Sequence, residues 1–148
     1  MSTDVPQPAG NAAARAHAET ARAFFRLLSA KDITAWGELW HPDAVLSVPY
    51  PADGFPTEIR GKEQIASGFH GLFAHFDTFT AHLTGVYPSA DSDAVCVEYR
   101  NAATLVGGTA YTNDNIAVFR FRDGLISEYH DYFDPRRFQV VVDALAAG

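Results

Sequence analysis

The apolar residues of this chain change their spacing once, at Asp77, and few architectures accommodate such a change. Upstream they recur at helical intervals. Between Ala16 and Ala30, the residues Ala21, Phe24, Phe25 and Leu28 fall on one face while Arg15, Glu19, Arg22 and Arg26 fall on others, which predicts an amphipathic helix. Asp32 suits the N-cap of a second helix from Ile33 to Trp40, whose apolar set is Ile33, Trp36, Leu39 and Trp40 and whose stop is His41-Pro42. A short strand, Ala44 to Val48, follows. The stretch from Pro49 to Thr57 carries three prolines and a glycine and reads as a loop, long enough to serve as a lid. A third helix spans Lys62 to Phe76, with Ile65, Phe69, Leu72, Phe73 and Phe76 along one stripe.

Downstream of Asp77 the spacing shortens to alternation. Segments 79–87, 94–106, 109–122 and 125–133 are rich in Val, Ile, Thr, Tyr and Phe, and turn signals separate them at Pro88-Ser89, Gly107-Gly108 and Asp123-Gly124. The Asp-Gly pair predicts a tight hairpin. Arg137 to Ala147 reads either as a short closing helix or as a final strand with a tail. The sum is an α+β fold in which a curved antiparallel sheet wraps around three N-terminal helices and leaves a pocket in the mouth of the cone. Residues 1–14 read as a flexible N-terminal tail and 15–148 as a single domain.

Composition narrows the partners. The chain carries 11 basic and 18 acidic residues, a formal charge of −7, and its basic clusters are confined to Arg120/Arg122 and Arg136/Arg137. Nucleic acid and anionic membrane surfaces are therefore not expected partners. Cys96 is the single cysteine, so no intrachain disulfide can form, and a reducing, cytoplasmic setting fits. No apolar run approaches the roughly 20 residues of a membrane-spanning helix. The six histidines include no pair at i, i+4 and no HExxH, so no metal is expected. Cys96 sits in AVCVEY and reads as a small core residue. With no GxSxG, P-loop or GxGxxG motif, the chemistry left to the chain is acid/base work without a cofactor.

Three stretches, FFRLLSAKDITAWGELWHPDAVLSVP, IRGKEQIASGF and VCVEYRNAATLVGGTAYTNDNIAVFRFRDGLISEYHDYFDP, resemble the SnoaL-like branch of the nuclear transport factor 2-like superfamily. The likeness runs from Ala18 to Phe138. It implies the cone fold and a homodimer. For activity it implies only a range: polyketide cyclases, ketosteroid isomerases, epoxide hydrolases, dehydratases, phenazine-biosynthesis proteins and non-catalytic binding modules.

Alternation places Tyr111, Asn113, Asn115, Ala117, Phe119 and Phe121 on one face of the 109–122 strand, a suitable pocket floor with Tyr111 and Asn113 as substrate-binding candidates. The same polar groups could instead satisfy neighbouring backbone. On the last strand Asp131 shares a face with Tyr129 and Phe133, and a carboxylate between rings is desolvated toward a pKa useful near neutrality. The DYFD run at 131–134 is similar to that of limonene-type epoxide hydrolases, which implies an acid/base role for Asp131. Glu98 and Arg100 point to one side of their strand. The resemblance turns them into the cavity, where they would join Asp131 as catalytic candidates; the apolar set Val95, Val97 and Tyr99 turns them to the convex face. Trp40, Phe69, Phe73 and Tyr129 would wall the pocket.

Other positions depart from the relatives. Phe24 and Val48 stand where ketosteroid isomerases carry their oxyanion tyrosine and general-base aspartate, Leu46 to Val48 lack the water-holding tyrosine and asparagine of limonene epoxide hydrolases, and Thr112 and Gly68 replace the glutamate and histidine of the phenazine proteins. The expectation is a cofactor-independent cyclase, isomerase or dehydratase acting on a small aromatic or polyketide-like molecule. A ligand-binding or dimerisation module of the same fold is the alternative. The dimer contact would lie on the outer sheet face, where Ile116 and Val118 would otherwise meet water.

Overall fold

Two of the three turn signals become tight reversals in the structure, a computed structural model that describes residues 7–147. Asp123 and Gly124 both adopt positive φ, 56° and 78°, the backbone a two-residue hairpin needs to match strand twist. Gly107 and Gly108 do the same at 106° and 99°. These reversals join β4 (Val95–Leu105), β5 (Ala110–Arg122) and β6 (Leu125–Tyr132), and β3 (Phe76–Pro88) precedes them. The helical half supplies α1 (Gln7–Ser29), α2 (Ile33–Gly37), β1 (Trp40–Ser47), β2 (Glu58–Arg60) and α3 (Lys62–Phe73), and α4 (Pro135–Ala147) closes the chain.

The sheet runs β2-β1-β6-β5-β4-β3, curved and unclosed. It is mixed rather than purely antiparallel. β1 lies parallel to β6, with Leu46 opposite Tyr129. No hairpin links these two strands, so their relative direction is left to packing rather than to a turn. Register shifts between Leu83 and Gly85 of β3, and between Arg120 and Phe121 of β5, add local twist that helps bend the sheet around the helices.

Several boundaries differ from those expected. The first helix begins at Gln7, inside the stretch 1–14 set aside as a tail; QPAGNAAARA is alanine-rich, and Pro8 falls in the first turn, where its missing N–H breaks no bond. Residues 1–6 lie outside the described part. α2 ends at Gly37, and Trp40 opens β1 opposite Ile126, so Trp40 belongs to the sheet. Asp32 does cap α2, accepting from Ala35 N at 3.1 Å. Phe76 likewise begins β3 rather than ending α3. The C-terminal segment resolves as a helix, with Pro135 first and Asp134 accepting from Arg136 N at 2.9 Å.

The core fills the concave face of the sheet. Phe24, Phe25, Trp36 and Trp40 are fully or almost fully buried, and Phe24 meets Phe119 edge-on at 5.0 Å and stacks on Tyr129 at 4.8 Å. Rings in such contact add to the burial of their large apolar area. Among the described residues no helix is long and apolar enough to cross a membrane.

Candidate active site

The interior faces of β4, β5 and β6 carry the chemistry. On β5 Tyr111, Asn113, Asn115, Ala117, Phe119 and Phe121 are all buried, and on β4 Val95, Val97, Tyr99, Asn101, Ala103 and Leu105 are buried in the same alternation. Pairing sets Tyr99 opposite Asn115 and Ala117 opposite Asp131. Because Ala117 is small, the carboxyl of Asp131 can lean diagonally over it toward Tyr99 and Asn115.

The Tyr99 hydroxyl donates to the Asp131 carboxylate, 3.0 Å from each oxygen. Asn115 Nδ2 donates to the Tyr99 oxygen at 3.2 Å and to Asp131 Oδ1 at 3.4 Å. The hydroxyl of Tyr129 lies 3.3 Å from that of Tyr99. This network borders a cavity of about 380 Å³ that is lined elsewhere by α3, α4 and the Pro49 to Thr57 loop, through Phe69, Leu72, Phe73, Phe138, Phe55 and Pro56 among others. Asp131 is partly exposed and borders this space.

Desolvation dominates the electrostatics of the network. It pushes the Asp131 carboxyl up to about 7, although hydrogen bonds from Tyr99, Asn115 and Tyr129 pull the other way. Burial, reinforced by the nearby Asp131 charge, raises the Tyr99 and Tyr129 hydroxyls well above the ordinary tyrosine value. Burial also raises Tyr111, against hydrogen bonding from Asn113. Asp131 is thus poised to exchange a proton near neutral pH while the tyrosines keep theirs.

The expected site residues divide into three groups. Asp131, Tyr111, Tyr129, Phe69 and Phe73 all border the cavity. Two lie near it but serve the framework. Trp40 is fully buried behind Tyr129, 5.9 Å ring to ring, and does not reach the cavity. Asn113 donates to Tyr111 at 2.9 Å and to the Asp134 carbonyl at 3.0 Å, and accepts from Asp134 N at 3.2 Å, so its amide is spent on tying α4 to the sheet. The remaining pair is turned outward.

Glu98 accepts from the Tyr87 hydroxyl at 2.9 Å, and Arg100 donates to Asp114 at 2.9 Å, both exposed on the outer face. The expectation that they join Asp131 in the cavity is corrected here, because burying Val95, Val97 and Tyr99 forces the intervening charges into water. Arg100, with Arg137, holds Asp114 below the usual carboxylate range. Tyr99 and Asn115 take the places beside Asp131 instead. Both were marked by the two-residue alternation that buried them, but that pattern gives a face and not a partner.

Among the described residues no cluster of three or more His, Cys, Asp or Glu side chains could hold a metal ion. The SnoaL-like domain family matches residues 21–129, most of the chain and every strand described above except the last few residues of β6. The chain belongs to this family. Similar proteins bear the membership out: YesE of Bacillus subtilis (strain 168) is 37% identical over 120 residues, covering 79% of this chain and 80% of that protein. A crystal structure of a Bacillus subtilis protein provisionally named an isomerase superposes with a TM-score of 0.77 at 33% identity, over 88% of this chain and 94% of the other. The LEH-like epoxide hydrolase of M. tuberculosis superposes at 0.68 with 25% identity, over 90% and 94%. In this SnoaL-like domain Asp131 lies just beyond the matched span, two residues past Tyr129 on the same strand face.

Proposed function

We propose that the protein is a cofactor-independent acid/base enzyme, a cyclase, isomerase or dehydratase acting on a small aromatic or polyketide-like molecule. One observation carries the reading: the Asp131 carboxyl, raised to about 7, stands beside an apolar cavity large enough for a compound of a few rings. An open cavity with an acid of this kind favours an enzyme over a purely structural module, whose cone would be filled by side chains.

In the proposed reaction the Asp131 carboxylate removes a proton from a carbon next to a carbonyl, and the electron pair moves onto the carbonyl oxygen. Tyr111 is the group best placed to meet that oxygen. Its hydroxyl accepts from Asn113 and so has its own hydrogen free to donate, and its raised pKa keeps that hydrogen in place. The protonated Asp131 then returns the proton to a second carbon in an isomerase or cyclase, or to a departing hydroxyl in a dehydratase. The aromatic walls and the Phe55-Pro56 edge of the loop keep water from intercepting the enolate.

The test is deuterium incorporation from D2O into enolisable aromatic ketones, beginning with 2-tetralone, followed by NMR. The wild type is expected to accelerate exchange, with a rate that rises through about pH 7, and Asp131→Asn is expected to lose at least about a hundredfold. Exchange unchanged by Asp131→Asn would refute the role. The same reading includes a homodimer through the outer sheet face, supported by the 45% exposure of Ile116 amid charged neighbours, and a cytoplasmic location, supported by the unpaired Cys96.

A further inference from the structure

The cavity of this domain has walls of one kind and a charge of one sign. Seven phenylalanines and three tyrosines line it, and Asp131 is the one carboxylate among its lining residues. Among the described residues no lysine, arginine or histidine joins them. β4, β5 and β6 bring Tyr99, Tyr111 and Tyr129, whose raised hydroxyls stay uncharged, and α3, α4 and the 49–57 loop bring no ionisable side chain. Arg100 and Arg137, from the neighbouring strand and helix, both bond the exposed Asp114 instead. Hydrogen bonds from Tyr99 and Asn115 reach the Asp131 carboxylate, yet they do not offset its desolvation, so the ionised form is left without a countercharge.

We propose that the cavity takes an organic ammonium ion with an apolar body, and that Asp131 is its counter-ion. The positive charge supplies what the walls lack, and aromatic side chains are the surroundings in which alkylated ammonium ions are recognised. The nitrogen should be fully alkylated. Asp131 already accepts from Tyr99 and Asn115, and the Tyr111 hydroxyl accepts from Asn113, so ammonium N–H groups would find few free acceptors. An anion of the same size would set a second negative charge beside the carboxylate. This ligand goes beyond the proposed reaction, because it needs Asp131 as a charge bordering the cavity and not as a base.

Two molecules of one shape test the assignment by isothermal titration: trimethylphenylammonium, and tert-butylbenzene, in which carbon replaces the charged nitrogen. Because the cation is charged at every pH, any titration in its binding belongs to the protein. Its affinity is expected to rise about tenfold from pH 6 to pH 8.5, the growth in the ionised fraction of a carboxyl titrating near 7, while tert-butylbenzene gains nothing. Asp131→Asn, with folding confirmed by its melting curve, should flatten that rise and weaken the cation about tenfold at pH 8.5. Glu128→Gln, which removes an exposed carboxylate of the outer face, should leave the cation's affinity within about twofold. No binding of the cation at pH 8.5, the same pH dependence for both molecules, a cation affinity untouched by Asp131→Asn, or an equal loss in Glu128→Gln would overturn the proposal. The first two outcomes are read on the wild type and decide even where a variant fails to fold. Absence of proton exchange with the cation still held through Asp131 would sink the proposed reaction alone, and Asp131-dependent exchange with no seat for the cation would sink this ligand alone.

Discussion

Asp131 costs the fold something that a neutral side chain would not. Its carboxyl titrates near 7 in the folded chain against an ordinary value of 3.8, so the unfolded chain gives up this proton at lower pH than the folded one. The stability tied to the group is complete below about pH 4, is lost as pH climbs toward 7, and is absent above. Asp131→Asn should therefore melt at a higher temperature than the wild type at pH 8 and at about the same temperature at pH 4, the gap at pH 8 corresponding to at most about 4 kcal/mol. Thermal denaturation across that range checks it. Tyr99→Phe removes the strongest hydrogen bond to the carboxylate and should move the Asp131 titration further up, visible in the pH dependence of exchange or in carboxyl ¹³C shifts. A Tyr99→Phe profile that stays in place would show that the hydroxyl only fills space.

At the scale of elements the junction between β6 and α4 borders the cavity through Phe133 and Phe138. Asn113 bonds both the N–H and the carbonyl of Asp134, and Arg137 reaches back to Thr112 at 2.7 Å, so two side chains tether a helix that otherwise packs mainly through Phe138 and Val141. Asn113→Ala strips both backbone groups of their partner and should destabilise the chain by about 2–4 kcal/mol, with α4 amides losing protection in hydrogen exchange before those of β4 and β5. The sequence made some elements legible and hid others for definite reasons. β5 was plain because six buried residues alternate without a break. The segment 33–40 read as one helix because Trp36 and Trp40 stand four apart, a spacing that persists although the chain leaves the helix after Gly37 and enters a strand at Trp40. β2 is three residues long and could not announce itself, and the position of Glu98 and Arg100 was decided by the burial of their neighbours, which the spacing offered as one of two choices.

For the molecule as a whole, the outer sheet face is where assembly should show. Ile116 stands 45% exposed, with Arg120 and Glu128 paired nearby at 3.5 Å. If that face joins two copies, Ile116→Lys should convert the dimer to a monomer in analytical ultracentrifugation while leaving the far-ultraviolet circular dichroism unchanged. A variant that sediments like the wild type would move the contact elsewhere or remove it. The cone itself was readable from the single change of spacing at Asp77. Its mixed sheet was not, because nothing local tells β1 which neighbour it will find.

That parallel pairing also sets when the site can exist during synthesis. β6 carries Asp131 and is flanked by β1, from early in the chain, and by β5, from just before it. A nascent polypeptide leaving the ribosome holds β1 with its parallel neighbour still unmade, and contacts so distant in sequence form late. The aspartate therefore meets dry surroundings only after β6 has followed the five other strands out of the ribosome.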